Sequence, residues 1–210
     1  MTLVRIAIFL LSLGYTNAIQ ANDHYQFKVY LDDNEIGYHN FTISEEGNHV
    51  SIDAAFRVKF LFFTAYDYRH LNKEEWQAGC IKQIQSETSV NGRSYSVIGE
   101  LSDDGLKVSR FKDSDSQNAV LPECAMTFAY WDPRLLDQSR LLNSQTGEYT
   151  PIEIIDESRD TINVRGVDRE TNRYRLKAGK LEIDLWYTTD HEWVGLMSNI
   201  NGRRLRYELI

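Results

Sequence analysis

From Tyr25 onward, apolar and polar positions recur with a period of two. Tyr25, Phe27, Val29 and Leu31 alternate with Gln26, Lys28 and Tyr30, and Asp32-Asp33-Asn34 breaks the run before a second one over residues 36–44. Successive side chains of a strand point to opposite faces, so the pair reads as a β-hairpin. After Glu46-Gly47-Asn48 comes a longer extended segment in which Phe56, Val58, Phe60, Phe62, Tyr66 and Tyr68 share one face. The opposite face carries Arg57, Lys59, Asp67 and Arg69 at its ends but Leu61, Phe63 and Ala65 in its middle. The centre of this segment is apolar on both sides and needs two apolar partners. Later, Tyr174 and Leu176 alternate with Arg173, Arg175 and Lys177. Leu181, Ile183 and Leu185 alternate with Glu182 and Asp184, and Leu205, Tyr207 and Leu209 with Arg204, Arg206 and Glu208. Turn signals at Asn91-Gly92, residues 103–105, residues 168–172, Ala178-Gly179, Asp190-His191 and Asn201-Gly202 separate these runs. The pattern predicts an antiparallel meander with one wet face.

One stretch, residues 121–149, interrupts it. Asp132-Pro133 is a helix-start signal, Leu135, Leu136 and Leu142 fall on one helical face, and Gly147 is a stop signal. This predicts a short helical insertion around residues 132–145. Residues 124–130 alternate in a way that suits a strand or a helix. The polar run at 113–118 is the strongest linker signal but sets no domain boundary, so residues 22–210 read as a single antiparallel β domain. Roughly ten strands in one sheet would curl. A sheet curling around its own apolar face or around the helix gives a mainly β barrel or half-barrel, either filled with side chains or hollow.

The first residues change the setting. Arg5 precedes an apolar run over residues 6–13, followed by Gly14, Thr16, Asn17 and Ala18. Residues 1–21 therefore read as a secretory signal peptide cut after Ala18 or Ala21, with no lipidation cysteine behind it. The run is too short for an uncleaved anchor, no later stretch would cross a membrane as a helix, and the expected location is the periplasm. Export gives Cys80 and Cys124, the only cysteines, their simplest reading as one disulfide; the other reading is two buried thiols. The chain of 210 residues is 42% hydrophobic and 26% charged with three prolines, an ordinary globular composition. Its net charge of −8 argues against a phosphate-neutralising nucleic-acid surface.

Sequence motifs for chemistry are weak. Residues 32–37 resemble the start of a calcium loop, but Ile36 stands at a ligand position and no twelfth-position Glu follows. There is no nucleophile elbow, zinc-protease helix or phosphate-binding glycine loop. No close cysteine pair exists and His24, His39, His49, His70 and His191 are scattered, so no metal site and no cofactor are expected. Asp67 with His70, or His191 between Asp190 and Glu192, would be the base candidates of an enzyme. Trp186 and Trp193 flank a turn, which suits cross-strand pairing or an aromatic ligand platform. Arg173, Arg175 and Lys177 with Arg203, Arg204 and Arg206 form a basic stripe or a solvated sheet face.

The segments Ala129-Tyr130-Trp131-Asp132, Leu141-Leu142-Asn143-Ser144-Gln145-Thr146-Gly147, Leu185-Trp186-Tyr187, Trp193-Val194-Gly195-Leu196 and Leu205-Arg206-Tyr207-Glu208-Leu209, with the long aromatic strand before Trp76 and Gly79, resemble a family of exported bacterial proteins known as domain of unknown function 6134. The resemblance spans essentially the mature chain. It implies a Gram-negative periplasmic protein and carries over no catalytic residue. By analogy, a curled periplasmic sheet is similar to half-barrel carriers that shield lipid chains. The expected function is non-catalytic binding of an apolar small molecule such as an acyl chain. Its expected residues are Phe60, Leu61, Phe62 and Phe63, with Leu135, Leu136 and Leu142 as the helix opposite. The alternatives are a structural or interaction module for another envelope protein and, third, an envelope-metabolism enzyme.

Overall fold

The computed structural model describes residues 23–44, 48–60 and 63–210; the expected signal peptide lies outside them. The two-residue period produces strands throughout: β1 (Asp23–Leu31), β2 (Asn34–Ile43), β3 (His49–Phe60), β4 (Phe63–Gln77), β5 (Cys80–Val90), β6 (Arg93–Ser102), β7 (Gly105–Lys112) and β8 (Asp115–Leu121), then the short pair β9 (Arg140–Leu142) and β10 (Tyr149–Pro151), then β11 (Glu153–Val164), β12 (Val167–Ala178), β13 (Leu181–Thr188), β14 (Trp193–Ile200) and β15 (Arg203–Leu209). Thirteen of them form one antiparallel sheet in the order β11-β12-β13-β14-β15-β1-β2-β3-β4-β5-β6-β7-β8. The meander is thus two runs of hairpins joined where the first and last strands pair, with Phe27 opposite Leu209 and Leu31 opposite Leu205.

Asn91-Gly92 and Asn201-Gly202 put two successive residues at positive φ, the geometry that follows the twist of a tight hairpin. The turn between β11 and β12 falls at Arg165-Gly166, both at positive φ, and residues 168–172 lie inside β12. The sequence places that turn too late because polar residues outnumber breakers there. Likewise the polar run at 113–118 is a turn followed by β8, whose first six residues are exposed. An edge strand with a wet surface has the composition of a linker.

The expected helix around 132–145 does not form. Asp132 does cap a start, its carboxylate accepting from the Arg134 amide at 3.0 Å, but the result is a single 3-10 turn, Pro133–Asp137. Gln138 is already extended, and Leu141 and Leu142 are both fully buried on β9. A lone turn gains few hydrogen bonds for its nucleation cost, whereas an extended chain here buries two adjacent leucines and pairs with β10. Residues 124–130 are neither a strand nor a helix; Thr127 makes an isolated bridge to Leu142.

The segment between β8 and β11 is a plug, and the sheet wraps it. Ile81 N–H donates to Ala125 O at 2.9 Å on one side, and Tyr187 Oη donates to Tyr130 O at 2.8 Å on the other. Trp131 packs against Phe41 and Trp76. One element touching strands this far apart in the sheet order requires the sheet to be curled. It stays unclosed: β8 and β11 do not pair with each other. The core is shared by inner-face residues such as Phe27, Phe41, Ile84 and Leu185 and plug residues such as Met126, Leu135 and Leu142. Cys80 at the start of β5 and Cys124 behind β8 form a disulfide with Cα atoms 4.9 Å apart, which staples the plug to the sheet.

Candidate functional site

Toward the β3–β4 tip, the inner face carries a cluster of rings. His39 on β2, Phe56 on β3, Tyr66 and Tyr68 on β4 and Tyr207 on β15 alternate inward from neighbouring strands, each half-buried. Their rings form a continuous layer. Phe56 stacks on Tyr68 at 5.0 Å and Tyr66 on Tyr68 at 6.3 Å. Tyr207 lies 6.3 Å from Phe56 and 5.5 Å from His39, which stacks on Phe41 at 4.3 Å. Burial, reinforced by the Tyr130 and Tyr66 hydroxyls, raises the ionisation of Tyr68 and Tyr207 above the ordinary tyrosine value. Burial likewise lowers His39 to about 3, with His70 adding to it. The wall is therefore uncharged at neutral pH. Nδ1 of His39 shares a hydrogen bond with Tyr207 Oη at 3.2 Å, while its Nε2 is buried with no partner among the described residues.

Deeper along β4 the inner face is polar. His70 Nδ1 bonds Thr88 Oγ1 at 2.8 Å and its Nε2 lies 3.4 Å from Ser144 Oγ of the plug; Ser86 Oγ donates to Ser144 O. Burial lowers His70 to about 4. Below it Glu74 accepts from Asn72 Nδ2 at 2.7 Å and Trp76 Nε1 at 2.9 Å, with Thr127 Oγ1 at 3.4 Å. Burial pushes this carboxyl up to about 7 in spite of the three donors. The row pins the plug to β4 and β5. Sequence reading missed it because the buried positions His70, Asn72 and Glu74 are polar and Leu71, the one apolar residue of 69–75, faces outward, so the period gives no correct inner side.

The expected ligand-binding residues fall in three places. Leu61 and Phe62 lie outside the described residues, and Phe60 and Phe63 are described as the backbone pair that closes β3 on β4. Leu135 and Leu142 are fully enclosed in the core. Leu136 is half-buried and faces an open groove of about 560 Å³ with Pro133, Ile154, Tyr174 and Tyr187. Phe56, Tyr66 and Tyr68 were legible as sharing one face and Tyr207 as an apolar position of an alternating run; His39 was not singled out for this face, since it sits between Tyr38 and Asn40.

The base candidates are not assembled as pairs. Asp67 is an odd number of residues from His70, hence on the other face, where it takes Arg57 at 2.9 Å. His191 sits in a turn at φ 64°. Trp186 and Trp193 part to opposite faces at a bulge: Trp186 donates to Asp160 at 2.9 Å, and Trp193 packs on Phe27 at 4.3 Å. Both are buried, so the hairpin presents no aromatic platform. In the basic stripe Arg173, Arg175, Arg203, Arg204 and Arg206 each face a carboxylate. In the calcium-like turn, Asp32 accepts from Arg203 Nε and the Arg204 amide, both at 2.9 Å. No helix among the described residues is long and apolar enough to cross a membrane.

The fold is similar to a solved structure, the beta-barrel-like protein of domain of unknown function DUF1849 from Brucella abortus. The likeness has a TM-score of 0.59 at 9% identity and covers 92% of this chain and 97% of that one. No curated protein matches the sequence. Residues 27–210 match the family described as Domain of unknown function (DUF6134), the described β domain nearly end to end, and the chain belongs to that family.

Proposed function

We propose that the protein is a non-catalytic periplasmic carrier that holds an apolar chain molecule, such as an acyl chain, against its concave aromatic wall. The observation that supports this most is the half-buried layer of Phe56, Tyr66, Tyr68 and Tyr207 on the inner face of an unclosed sheet. A sheet that only needed to fill its interior would bury these rings against the plug, as it buries Phe27 and Trp193. Large half-buried aromatic surface facing a concavity is the character of a ligand site. The wall runs toward Phe60 and Phe63, which pair where β3 meets β4; the stretch that reads as the middle of one strand is the tip of a hairpin. Residues 1–21 support export.

The test is native mass spectrometry with lipid extraction of protein purified from the periplasm of its native host. A stoichiometric apolar molecule released on denaturation is the expected result. Repeated recovery of ligand-free protein that also fails to take up an apolar fluorophore would overturn the proposal, and an intact Met1 in the cytoplasm would overturn the location. A second reading, an interaction module, is favoured by one feature: β8 is a free edge with six of its seven residues exposed, which suits strand addition by a partner. It predicts that proline at Asn118 abolishes partner capture and leaves ligand uptake unchanged.

A further inference from the structure

The chemistry around His39 narrows the ligand class, on the basis of the binding function proposed above. We propose that the aromatic wall takes an uncharged chain molecule, its hydroxyl or carbonyl group hydrogen-bonded to Nε2 of His39, and rejects the corresponding carboxylate.

Three observations support it. Nε2 of His39 is a buried polar atom without a partner among the described residues, on a residue that is itself half-buried and fixed from the other side by Tyr207 at 3.2 Å. Buried polar groups in folded proteins are nearly always paired, so an unpaired one within the aromatic wall points to an incoming group. A neutral imidazole leaves Nε2 as donor or acceptor according to the tautomer that Tyr207 sets. A hydroxyl answers both tautomers, and a carbonyl answers one. Second, no cation among the described side chains serves the wall. The arginines of β3 and β4 alternate outward, where Arg57 pairs with Asp67 at 2.9 Å and Arg69 with Asp53 at 3.6 Å. Arg206 on β15 lies over Tyr30 and pairs with Glu208. Third, the groups that act on His39, Tyr68 and Tyr207 are burial and one another, His70, Tyr66 and Tyr130, so none supplies positive charge at neutral pH. A carboxylate entering here would lose its hydration with no counter-ion to replace it.

The experiment is displacement of the uncharged fluorophore N-phenylnaphthylamine from the disulfide-intact protein by decanol, decane and decanoate at neutral pH. Decanol is expected to bind about tenfold or more tightly than decanoate. In His39→Phe, the advantage of decanol over decane should fall by about tenfold while decane binding holds. Tyr207→Phe removes the hydroxyl that orients the imidazole, keeps the ring, and should reduce the same advantage; it carries the test if His39→Phe fails to fold by circular dichroism. Decanoate binding as tightly as decanol would overturn this inference and leave the carrier function standing. Undiminished decanol preference in folded variants would overturn the role of His39. Failure of the fluorophore, decanol and decane all to bind would overturn the carrier function and the inference with it.

Discussion

Replacing Glu74 by glutamine tests the polar row that pins the plug. The carboxyl is 3% exposed and burial raises it from 4.5 to about 7 against the opposing effect of Asn72, Trp76 and Thr127. The folded protein therefore holds a proton that the unfolded chain has already released. Stability linked to this group is fully present below pH 4.5 and is lost as pH rises through 7. The span corresponds to about 3 kcal/mol. Glutamine keeps the shape and one acceptor but cannot ionise, so whatever constant cost it adds is independent of pH. His39 and His70, lowered by burial, lose stability on acidification, but they do so in both proteins and cancel in the difference. Urea denaturation of the disulfide-intact proteins at intervals from acid to mildly alkaline pH is the assay. The stability of the wild type minus that of Glu74→Gln should fall by about 3 kcal/mol between acid and alkaline pH. Parallel profiles would show that Glu74 titrates alike in both states and refute the reasoning.

The Cys80–Cys124 bond closes a loop of sequence separation 44, for which the chain-entropy relation gives about 4 kcal/mol; the Cys80→Ser, Cys124→Ser double variant should show a clearly lower Tm by calorimetry, and an unchanged Tm would count against the staple. Leu142→Ala opens a cavity in a fully buried position and should cost roughly 2–5 kcal/mol in chemical denaturation. Leu136→Ala, at a half-buried position facing the groove, should cost less than half of that. Gly37→Ala places a Cβ 1.8 Å from Ala55 O, forcing β2 away from β3. It should destabilise the fold by roughly 1–3 kcal/mol, and a neutral result by thermal melting would contradict the register of Gly37 opposite Phe56.

The alternation in the sequence determined the antiparallel meander and the shared face of Phe56, Tyr66 and Tyr68, because a strand's two faces are encoded residue by residue; it ran β3 and β4 together as one segment, where the structure has a hairpin pairing Phe60 with Phe63. The cysteine count made Cys80 and Cys124 each other's one possible intramolecular partner, and the structure joins them. Four features needed the tertiary structure. Pairing of β15 with β1 joins residues at opposite ends of the chain, and no local period reports that. The plug took a single turn where Asp132-Pro133 and three leucines announced a helix, since burial of Leu141 and Leu142 against the wrapped sheet outweighed a short helix's own propensity. The inner side of residues 70–74 shows only in contacts with Thr127 and Ser144, because the inward positions are polar and Leu71, the one apolar residue there, is exposed. His39 became a site residue only when Tyr207, distant in sequence, took one of its nitrogens and left the other unpaired; a hydrogen-bond inventory exists only once the strands have met.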